Sequence, residues 1–288
     1  MILVAWYQIV GLAAGIIAAT AVLCHLLLRL LYPLLQRYAL ALPNARSSHK
    51  TPTPQGAGIG VVAATVIAVL AIFFMMEGLG DRTLWIVLGA TIGIAIVGVV
   101  DDIAPIGVLP RLLLQAAAVT AILMALPDGM RIVPILPFWA ERALLGIGAL
   151  WFVNLTNFMD GIDWITAAET IPITAFLVVI SAFDQTSEAE IAVALVLCGA
   201  MLGFAPLNRP VAKMFLGDVG SLAIGLLLAW MLIGLGGRGH IAAAILLPLY
   251  YLADATITLF LSPVARRKRS GSRTERISIS APRRMASR

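Results

Sequence analysis

The chain has 288 residues, of which 61% are hydrophobic and only 12% charged, with a mean hydropathy of +0.99. A soluble globular domain carries about 25% charged residues, so this composition excludes an ordinary water-soluble enzyme or binding domain. The formal net charge is +5. The nine basic residues and one acid after residue 263 contribute +8, so the rest of the chain carries a net charge of −3. We therefore expect a polytopic membrane protein with a basic C-terminal segment.

Apolar runs of membrane-spanning length follow one another along the chain. About 20 apolar residues cross a bilayer as a helix, and lipid tolerates only helices or closed barrels. The alternating pattern of barrel strands is absent, so the predicted fold class is all-α, a transmembrane helical bundle. The nine predicted spans are 5–32, 58–76, 84–100, 111–127, 140–154, 164–182, 191–207, 219–236 and 240–262.

Basic residues in short connections predict the orientation, because such residues are enriched on the cytoplasmic side. The distribution predicts that the N-terminus lies outside. The expected domains are a transmembrane domain over 1–263 and a disordered cytoplasmic tail over 264–288. The first run lacks a basic start and is long enough to span, so no cleavable signal peptide is expected. The expected cytoplasmic connections contain Arg37, Arg46, Lys50, Arg111, Arg209 and Lys213, against Arg82, Arg131, Arg142 and Arg238 outside.

Chemically capable side chains collect in these predicted cytoplasmic loops, and the outer loops hold nothing comparable. The pattern predicts a polar site facing the cytoplasm. Its candidate residues are His49 and Lys50 in the first loop, Asp101 and Asp102 in the second, Asn154, Asn157, Asp160 and Asp163 in the third, and Asp218 in the fourth.

Each carboxylate group also has a simpler interpretation. Asp101 and Asp102 could be solvated charges at a helix end, but helix C-termini disfavour anions, so a cation should offset them. This favours a metal-binding or catalytic role. Asp218 could be an ordinary N-cap, although a helix N-terminus with Gly217 beside it also suits a phosphate.

The stretch "NLTNFMDGID" repeats a polar residue every three positions from Asn154 to Asp163. If the helix continues through it, these side chains lie near one face, although they could also be a solvated helix cap. Amide and carboxylate oxygens suit Mg²⁺ or Mn²⁺. Lys50 is either a membrane-side anchor or a phosphate contact, and His49 either a loop residue or a substrate contact.

Taken together, these motifs resemble the polyprenyl-phosphate N-acetylhexosamine-1-phosphate transferase family, which includes O-antigen-initiating enzymes and the lipid I-forming translocase. The resemblance extends over about residues 44–262. The matching runs are "SSHKTPTPQGAGIGVV", "VVDDIAPIGVLPRLLLQ", "NLTNFMDGIDWITAAET", "NRPVAKMFLGDVGSLAIG" and "PLYYLADATITLF".

The resemblance implies transfer of N-acetylhexosamine-1-phosphate from a UDP-sugar to undecaprenyl phosphate, with release of UMP, in a bacterial inner membrane. It implies catalytic roles for Asp101 and Asp102, a Mg²⁺ (or Mn²⁺) site at Asp218 and Asp102, and a less defined acidic position at Asp254. Substrate contacts are implied for Lys50, His49, Asn154, Asn157, Asp160 and Asp163. The expected partners are the two substrates and membrane lipid, with a homodimer as an option and no nucleic acid.

Two departures from the family pattern stand out. Gln55-Gly56-Ala57-Gly58 replaces the Arg-Gly-Gly-Gly that the O-antigen branch, otherwise the nearer one, usually has, which affects the expected sugar specificity. After the ninth span, the tail replaces a His- and Arg-containing motif. One codon choice for "ERISISAPRR" encodes Ala-His-Phe-Tyr-Gln-Arg-Ala-Thr in another frame. The tail is therefore either a frameshifted C-terminus, which predicts weak or no activity, or a native basic tail.

Two other function classes stay open on the sequence. A transporter would keep ionisable residues near the bilayer midplane, as only Asp254 suggests, whereas the other acids lie at predicted helix ends. The second alternative is an inactive homologue of the transferase.

Overall fold

The computed structural model describes residues 2–41, 52–76, 81–127, 129–184, 186–254 and 257, and these residues are almost entirely helical. The predicted all-α class is confirmed. Two short strands, β1 (Leu40–Ala41) and β2 (Thr53–Pro54), were not predicted. The helices are α1 (Ile2–Tyr38), α2 (Gly58–Met75), α3 (Arg82–Ile103), α4 (Val108–Met124), α5 (Phe138–Met159), α6 (Ile165–Ile180), α7 (Glu188–Asn208), α8 (Asp218–Gly237) and α9 (Ile241–Leu246).

Five of these helices are long and apolar enough to cross a membrane: residues 8–38 of α1, then α2, α3, α7 and α8. The helices α4 and α6 are apolar but shorter, with 17 and 16 residues. The structure therefore supports a multi-pass membrane protein. The full set of nine spans and their orientation stay predictions.

Three predicted helix ends are clearly wrong. The first span was expected to finish at residue 32, but α1 continues to Tyr38. The fifth span was expected to finish at residue 154, but α5 continues to Met159. The ninth was expected to be continuous over 240–262, but α9 ends at Leu246, and helix resumes at residue 249 and continues at least to residue 254. Pro248 stands at this break, where its missing N–H removes a helical hydrogen bond.

The centre of the bundle is α8, which is buried along nearly its whole length. It packs against α3 and α5 and also contacts α2 and α9, while α7 packs between α1 and α6. The end of the bundle where α3 and α5 finish and α8 begins is named the site end. The opposite end, where α5 and α7 begin and α8 finishes, is named the far end.

A small backbone ladder ties the segment before α2 to the start of α8. The strands β1 and β2 pair antiparallel, and the Phe215 N–H donates to the Pro54 carbonyl at 2.8 Å. The N–H of Gly58 donates to the Leu216 carbonyl at 2.8 Å. A Cβ on Gly58 would lie 2.2 Å from the Gly220 nitrogen, so only glycine allows this approach. The ladder places Gln55 at the site end.

Several predictions fall on residues outside the described ranges. These are the roles of His49 and Lys50 and everything concerning the tail.

Candidate active site at the start of α8

The carboxylate of Asp102, in the last turn of α3, caps the N-terminus of α8. Its Oδ1 accepts from the Asp218 N–H at 3.0 Å and its Oδ2 from the Val219 N–H at 3.3 Å. The side-chain amide of Gln55 donates to Oδ1 at 2.6 Å. The positive end of the α8 dipole thus stabilises a carboxylate at the negative end of α3.

Two glycines make this contact possible. Gly217, the residue before α8, has φ +78°, a conformation that side chains with a Cβ rarely adopt, and a Cβ there would lie 2.6 Å from Asp102 Oδ2. On α3, a Cβ on Gly98 would lie 2.4 Å from the Val219 Cα. The helices α3 and α8 therefore meet backbone to backbone.

The cation expected beside the aspartate pair is Arg111, at the start of α4. Its Nη1 donates to Asp101 Oδ2 at 2.9 Å and lies 4.0 Å from Asp218 Oδ2. The N–H of Ile106 donates to Asp101 Oδ1 at 2.6 Å. One guanidinium thus lies between two carboxylates that also interact with each other.

Asp218 is held from the α5 side by Asn157. The Asn157 amide donates to Asp218 Oδ1 at 2.8 Å and to the Ser221 hydroxyl at 2.9 Å. Asp218 is the first residue of α8, and the N-cap position is Gly217, so the simpler interpretation of Asp218 as an N-cap is wrong. Its Oδ2 faces Arg111, and its side chain is 30% exposed.

Asn154 points elsewhere, although it lies one turn before Asn157. Its amide donates to Gln115 Oε1 on α4 at 2.7 Å and to the Leu150 carbonyl at 2.8 Å. Gln115 is fully buried. The structure therefore places Asn154 in an interhelical contact and Asn157 beside the carboxylates.

The helix does not continue to Asp163, so the expectation of one shared face is wrong. It ends at Met159, and Asp160 follows as the C-cap. The Thr166 hydroxyl donates to Asp160 Oδ1, and Asp163 Oδ2 accepts from the Ala212 N–H at 3.0 Å. Asp163 thus contacts the α7–α8 connection, whereas Asp160 faces the carboxylate cluster.

Burial raises the pKa of the Asp160 carboxyl from 3.8 to about 8. The nearby charges of Asp218 and Asp102 also raise this pKa, whereas the hydrogen bond from Thr166 lowers it. Asp160 is therefore largely protonated near neutral pH. Four carboxyl groups, those of Asp101, Asp102, Asp160 and Asp218, form one cluster, named the carboxylate cluster.

Most of these residues lie in helices rather than in the predicted loops. Asp101 and Asp102 belong to α3, Asn154 and Asn157 to α5, and Asp218 to α8. The prediction that these residues lie in loops was wrong. Their polar side chains face neighbouring helices, so the start of polar sequence did not mark the end of the helix. Asp254 is exposed and lies in the helical segment 249–254.

The sequence did not identify four residues that contact the predicted ones: Gln55, Arg111, Thr166 and Ser221. Arg111 had been used only for orientation and Gln55 only as a departure from the family pattern. The spacing of Asp101 and Arg111 across the α3–α4 turn was the available signal.

No group of three or more His, Cys, Asp or Glu side chains within the described residues forms a ready cage for a metal ion. The carboxylate cluster nevertheless has the hard oxygen donors that Mg²⁺ prefers.

Comparison with known proteins identifies the family. A model of glycosyl transferase family 4 matches residues 84–236, which include the whole carboxylate cluster. The phospho-N-acetylmuramoyl-pentapeptide-transferase of Streptococcus agalactiae serotype Ia is 32% identical over 207 residues, 64% of this chain and 60% of that protein.

Proteins of the same name in two further organisms are also similar. The one from Micrococcus luteus is 29% identical over 236 residues, covering 62% of this chain and 63% of that protein. The one from Clostridium kluyveri is 29% identical over 245 residues, covering 76% and 72%. The chain thus matches about 60% of the length of the S. agalactiae relative.

Proposed function

The chain belongs to glycosyl transferase family 4, and we propose that it transfers N-acetylhexosamine-1-phosphate from a UDP-sugar to undecaprenyl phosphate, releasing UMP. The observation that carries this proposal is the carboxylate cluster around Arg111 and the start of α8, at one end of an apolar helical bundle. The names of the relatives, which are phospho-sugar transferases, support the same reaction class.

The reaction brings together two phosphate-bearing substrates, one of them anchored in lipid. An oxygen of the lipid phosphate attacks the sugar-linked phosphorus of the UDP-sugar. The bond from that phosphorus to the bridging oxygen breaks, and the bridging oxygen leaves with UMP. A site at the end of membrane helices suits a lipid whose phosphate lies at the interface.

Arg111 is the side chain best placed to bind a substrate phosphate. Its side chain is 29% exposed, and the pairs with Asp101 and Asp218 hold the guanidinium over the cluster. A planar guanidinium binds phosphate through two parallel hydrogen bonds, which lysine cannot do. Asp101 shares this guanidinium, so it positions Arg111 as well as serving as a candidate base for the lipid phosphate.

The two predicted metal ligands fit a magnesium ion to different extents. Asp218 fits well, because Asn157 fixes Oδ1 while Oδ2 is directed into the cluster. Asp102 already accepts three hydrogen bonds, so positioning α8 is its main task. Mg²⁺ commonly uses one or two carboxylates together with substrate phosphates, so Asp218 would suffice as an anchor. When bound, Mg²⁺ would neutralise the diphosphate and stabilise the departing UMP.

The position of the acids also favours an enzyme over a carrier. Asp101, Asp102 and Asp218 all lie in the first or last turn of their helices. Ion-coupled carriers keep such groups near the bilayer midplane.

The test is a radiochemical assay with the purified chain, Mg²⁺, undecaprenyl phosphate and labelled UDP-sugars. The panel contains UDP-N-acetylglucosamine, UDP-N-acetylgalactosamine and UDP-N-acetylmuramoyl-pentapeptide. We expect one of them to yield a labelled diphospholipid and UMP, and chelation with EDTA to stop the reaction. Asp218→Asn should lower the rate by at least about 100-fold, because replacing even an outer partner of a metal ligand commonly costs about 10–100-fold.

Asp81→Asn is the matched control, because Asp81 caps the opposite end of α3 by accepting from the Leu84 N–H. Asparagine caps helices as well as aspartate does, so this variant should keep full activity. No product from any UDP-sugar would refute the proposed function. Unchanged activity in EDTA would refute its metal component alone.

A further inference from the structure

A groove lies between α4 and α5, away from the carboxylate cluster. It encloses about 630 Å³, within the range of about 300–1,000 Å³ typical of ligand sites. Its wall residues recur at helical spacing on one face of each helix, so the groove runs along both helix axes. They include Ala116, Val119 and Leu123 from α4 and Trp139, Gly146 and Leu150 from α5.

The length of the groove matches one leaflet of a bilayer. At a rise of about 1.5 Å per residue, the wall from Ala116 to Met124 is about 12 Å long and that from Trp139 to Leu150 about 16 Å. Half of a hydrocarbon core is about 15 Å. The groove reaches the far end of the bundle, where Trp139 is 80% exposed, as tryptophan side chains at a membrane interface are.

An arginine, Arg142, stands at that mouth, and none of the described carboxylates forms an ion pair with it. Nη2 of Arg142 donates to two backbone carbonyls of the α4–α5 connection, at 3.1 and 3.3 Å. Its guanidinium carbon lies 5.1 Å from the centre of the Phe138 ring. Arg131 also lies over the Phe138 ring, but it is paired with Glu141. Arg142 has no carboxylate partner among the described ion pairs.

Arg142 also has unused hydrogen-bonding capacity. Within the described residues, its Nη1 is buried and has no hydrogen-bond partner. A buried donor of this kind normally finds a partner. Within the described part of the chain, the mouth of this apolar groove thus presents a positive charge that has no carboxylate partner and has a spare donor.

We propose that this groove binds an acidic membrane phospholipid, with one acyl chain between α4 and α5 and the anionic headgroup at Arg142. A neutral lipid fits the apolar walls but leaves the arginine charge unmatched. Basic pockets between transmembrane helices bind anionic headgroups on the cytoplasmic and matrix sides of membranes, and Arg142 offers the same kind of charge at the far end. The inference depends on the position of the helices in a membrane and not on the transferase reaction.

The experiment measures lipid retained by the purified full chain. The protein is incorporated into nanodiscs of equal parts phosphatidylglycerol and phosphatidylcholine, extracted in mild detergent, and analysed by native mass spectrometry. Arg142→Gln should lower the preference for phosphatidylglycerol about fivefold, the factor that one basic residue contributes toward anionic lipid. Arg142→Lys, which keeps the charge, should retain most of the preference.

A matched pair on α5 tests the groove itself. Gly146 lines it, and a Cβ there would meet Leu123 Cδ1 at 3.3 Å, so Gly146→Leu should reduce retention of both lipids. A Cβ on Gly148 would meet nothing within 4 Å, so Gly148→Leu should change neither. A wild-type preference in Arg142→Gln, or equal retention in the two leucine variants, would overturn the proposal. So would a wild-type dimer that Gly146→Leu converts to monomer without loss of lipid, because the groove would then bind a second copy.

Discussion

The two ends of the bundle are both polar, but they balance their charges differently. At the far end, Arg238 joins Asp184 and Glu190, and Arg131 joins Glu141, so each of these carboxylates has a guanidinium. At the site end, the described ion pairs bring one guanidinium, that of Arg111, to the carboxylate cluster.

This difference is consistent with a structural role for the far-end pairs and with the function proposed for the site end. The far-end pairs join α8 to the start of α7 and close the α4–α5 connection, where Glu141 also accepts from the N–H groups of Ile132 and Val133. Carboxylates that outnumber their cations repel one another, and they keep room for a cation or phosphate-bound metal. Among the described residues, an excess of carboxylates over guanidinium groups, rather than polarity alone, distinguishes the candidate site from the far end.

The largest expected effect is at the aspartate pair. Asp101→Asn and Asp102→Asn should each lower the rate about 10²–10⁴-fold, the usual contribution of acid–base assistance. In Asp102→Asn, an NH₂ group can also face the α8 amides and displace the start of that helix. The measurement is kcat in the radiochemical assay, beside the Asp81→Asn control. If both variants kept more than about half the activity, the pair would be helix-end charges only.

A substitution in the far-end ion pairs should change the stability of the protein and not its kcat. Arg238→Gln leaves Asp184 and Glu190 without their guanidinium, which should cost on the order of 3 kcal/mol in unfolding free energy. The thermal midpoint in detergent should fall, while kcat per folded molecule should not change. Arg82→Gln, at an exposed position at the start of α3, should leave both unaffected. A change in kcat in Arg238→Gln would show that the two ends are coupled.

Asp160, at the site end, should make the stability of the folded chain depend on pH. Its pKa in the folded chain is about 8, above the ordinary 3.8, so the folded state retains a proton that the unfolded state releases between these values. Stability therefore falls as pH rises through this window, on the order of 1 kcal/mol per pH unit. Asp160→Asn copies the protonated form and should remove that slope.

Thermal midpoints of wild type and Asp160→Asn, measured at about pH 6 and about pH 9, test the sign. The wild type should lose stability relative to the variant at the higher pH. Parallel curves would mean that Asp160 titrates with an ordinary pKa.

The smallest effect is expected for Asn154, and the comparison with Asn157 sharpens the boundary of the site. Asn154→Ala leaves Gln115 without its partner, at a cost of about 1–3 kcal/mol, with little change in rate. Asn157→Ala releases Asp218 and should lower kcat much more. Equal losses of rate would place Asn154 in the site, as the sequence had predicted.

Hydropathy predicted helix positions well where the helix faces are uniformly apolar. The predicted span 58–76 corresponds to α2 (Gly58–Met75), and 219–236 to α8 (Asp218–Gly237). It failed for α5, because Asn154 and Asn157 face other helices rather than lipid, and hydropathy does not distinguish these environments. The break at Pro248 was overlooked because the flanking residues are apolar.

The candidate site was predicted as a set of residues but not as a set of contacts. Composition and motifs identified Asp101, Asp102 and Asp218. The capping of α8 by Asp102 depends on close approach between α3 and α8, which the spacing along the chain does not encode. The same holds for Gln55, which reaches Asp102 only because the ladder before α2 carries it there.

The burial of α8 has a consequence for the order of biosynthesis. Helices emerge from the ribosome in sequence, and the amides that Asp102 accepts from belong to residues 218 and 219. Until α8 is inserted, Asp102 lacks these partners, Asn157 lacks the Asp218 carboxylate, and the central slot between α3 and α5 is unfilled. The carboxylate cluster is therefore complete only after α8, the most enclosed helix, has packed against α3 and α5, which are synthesised before it.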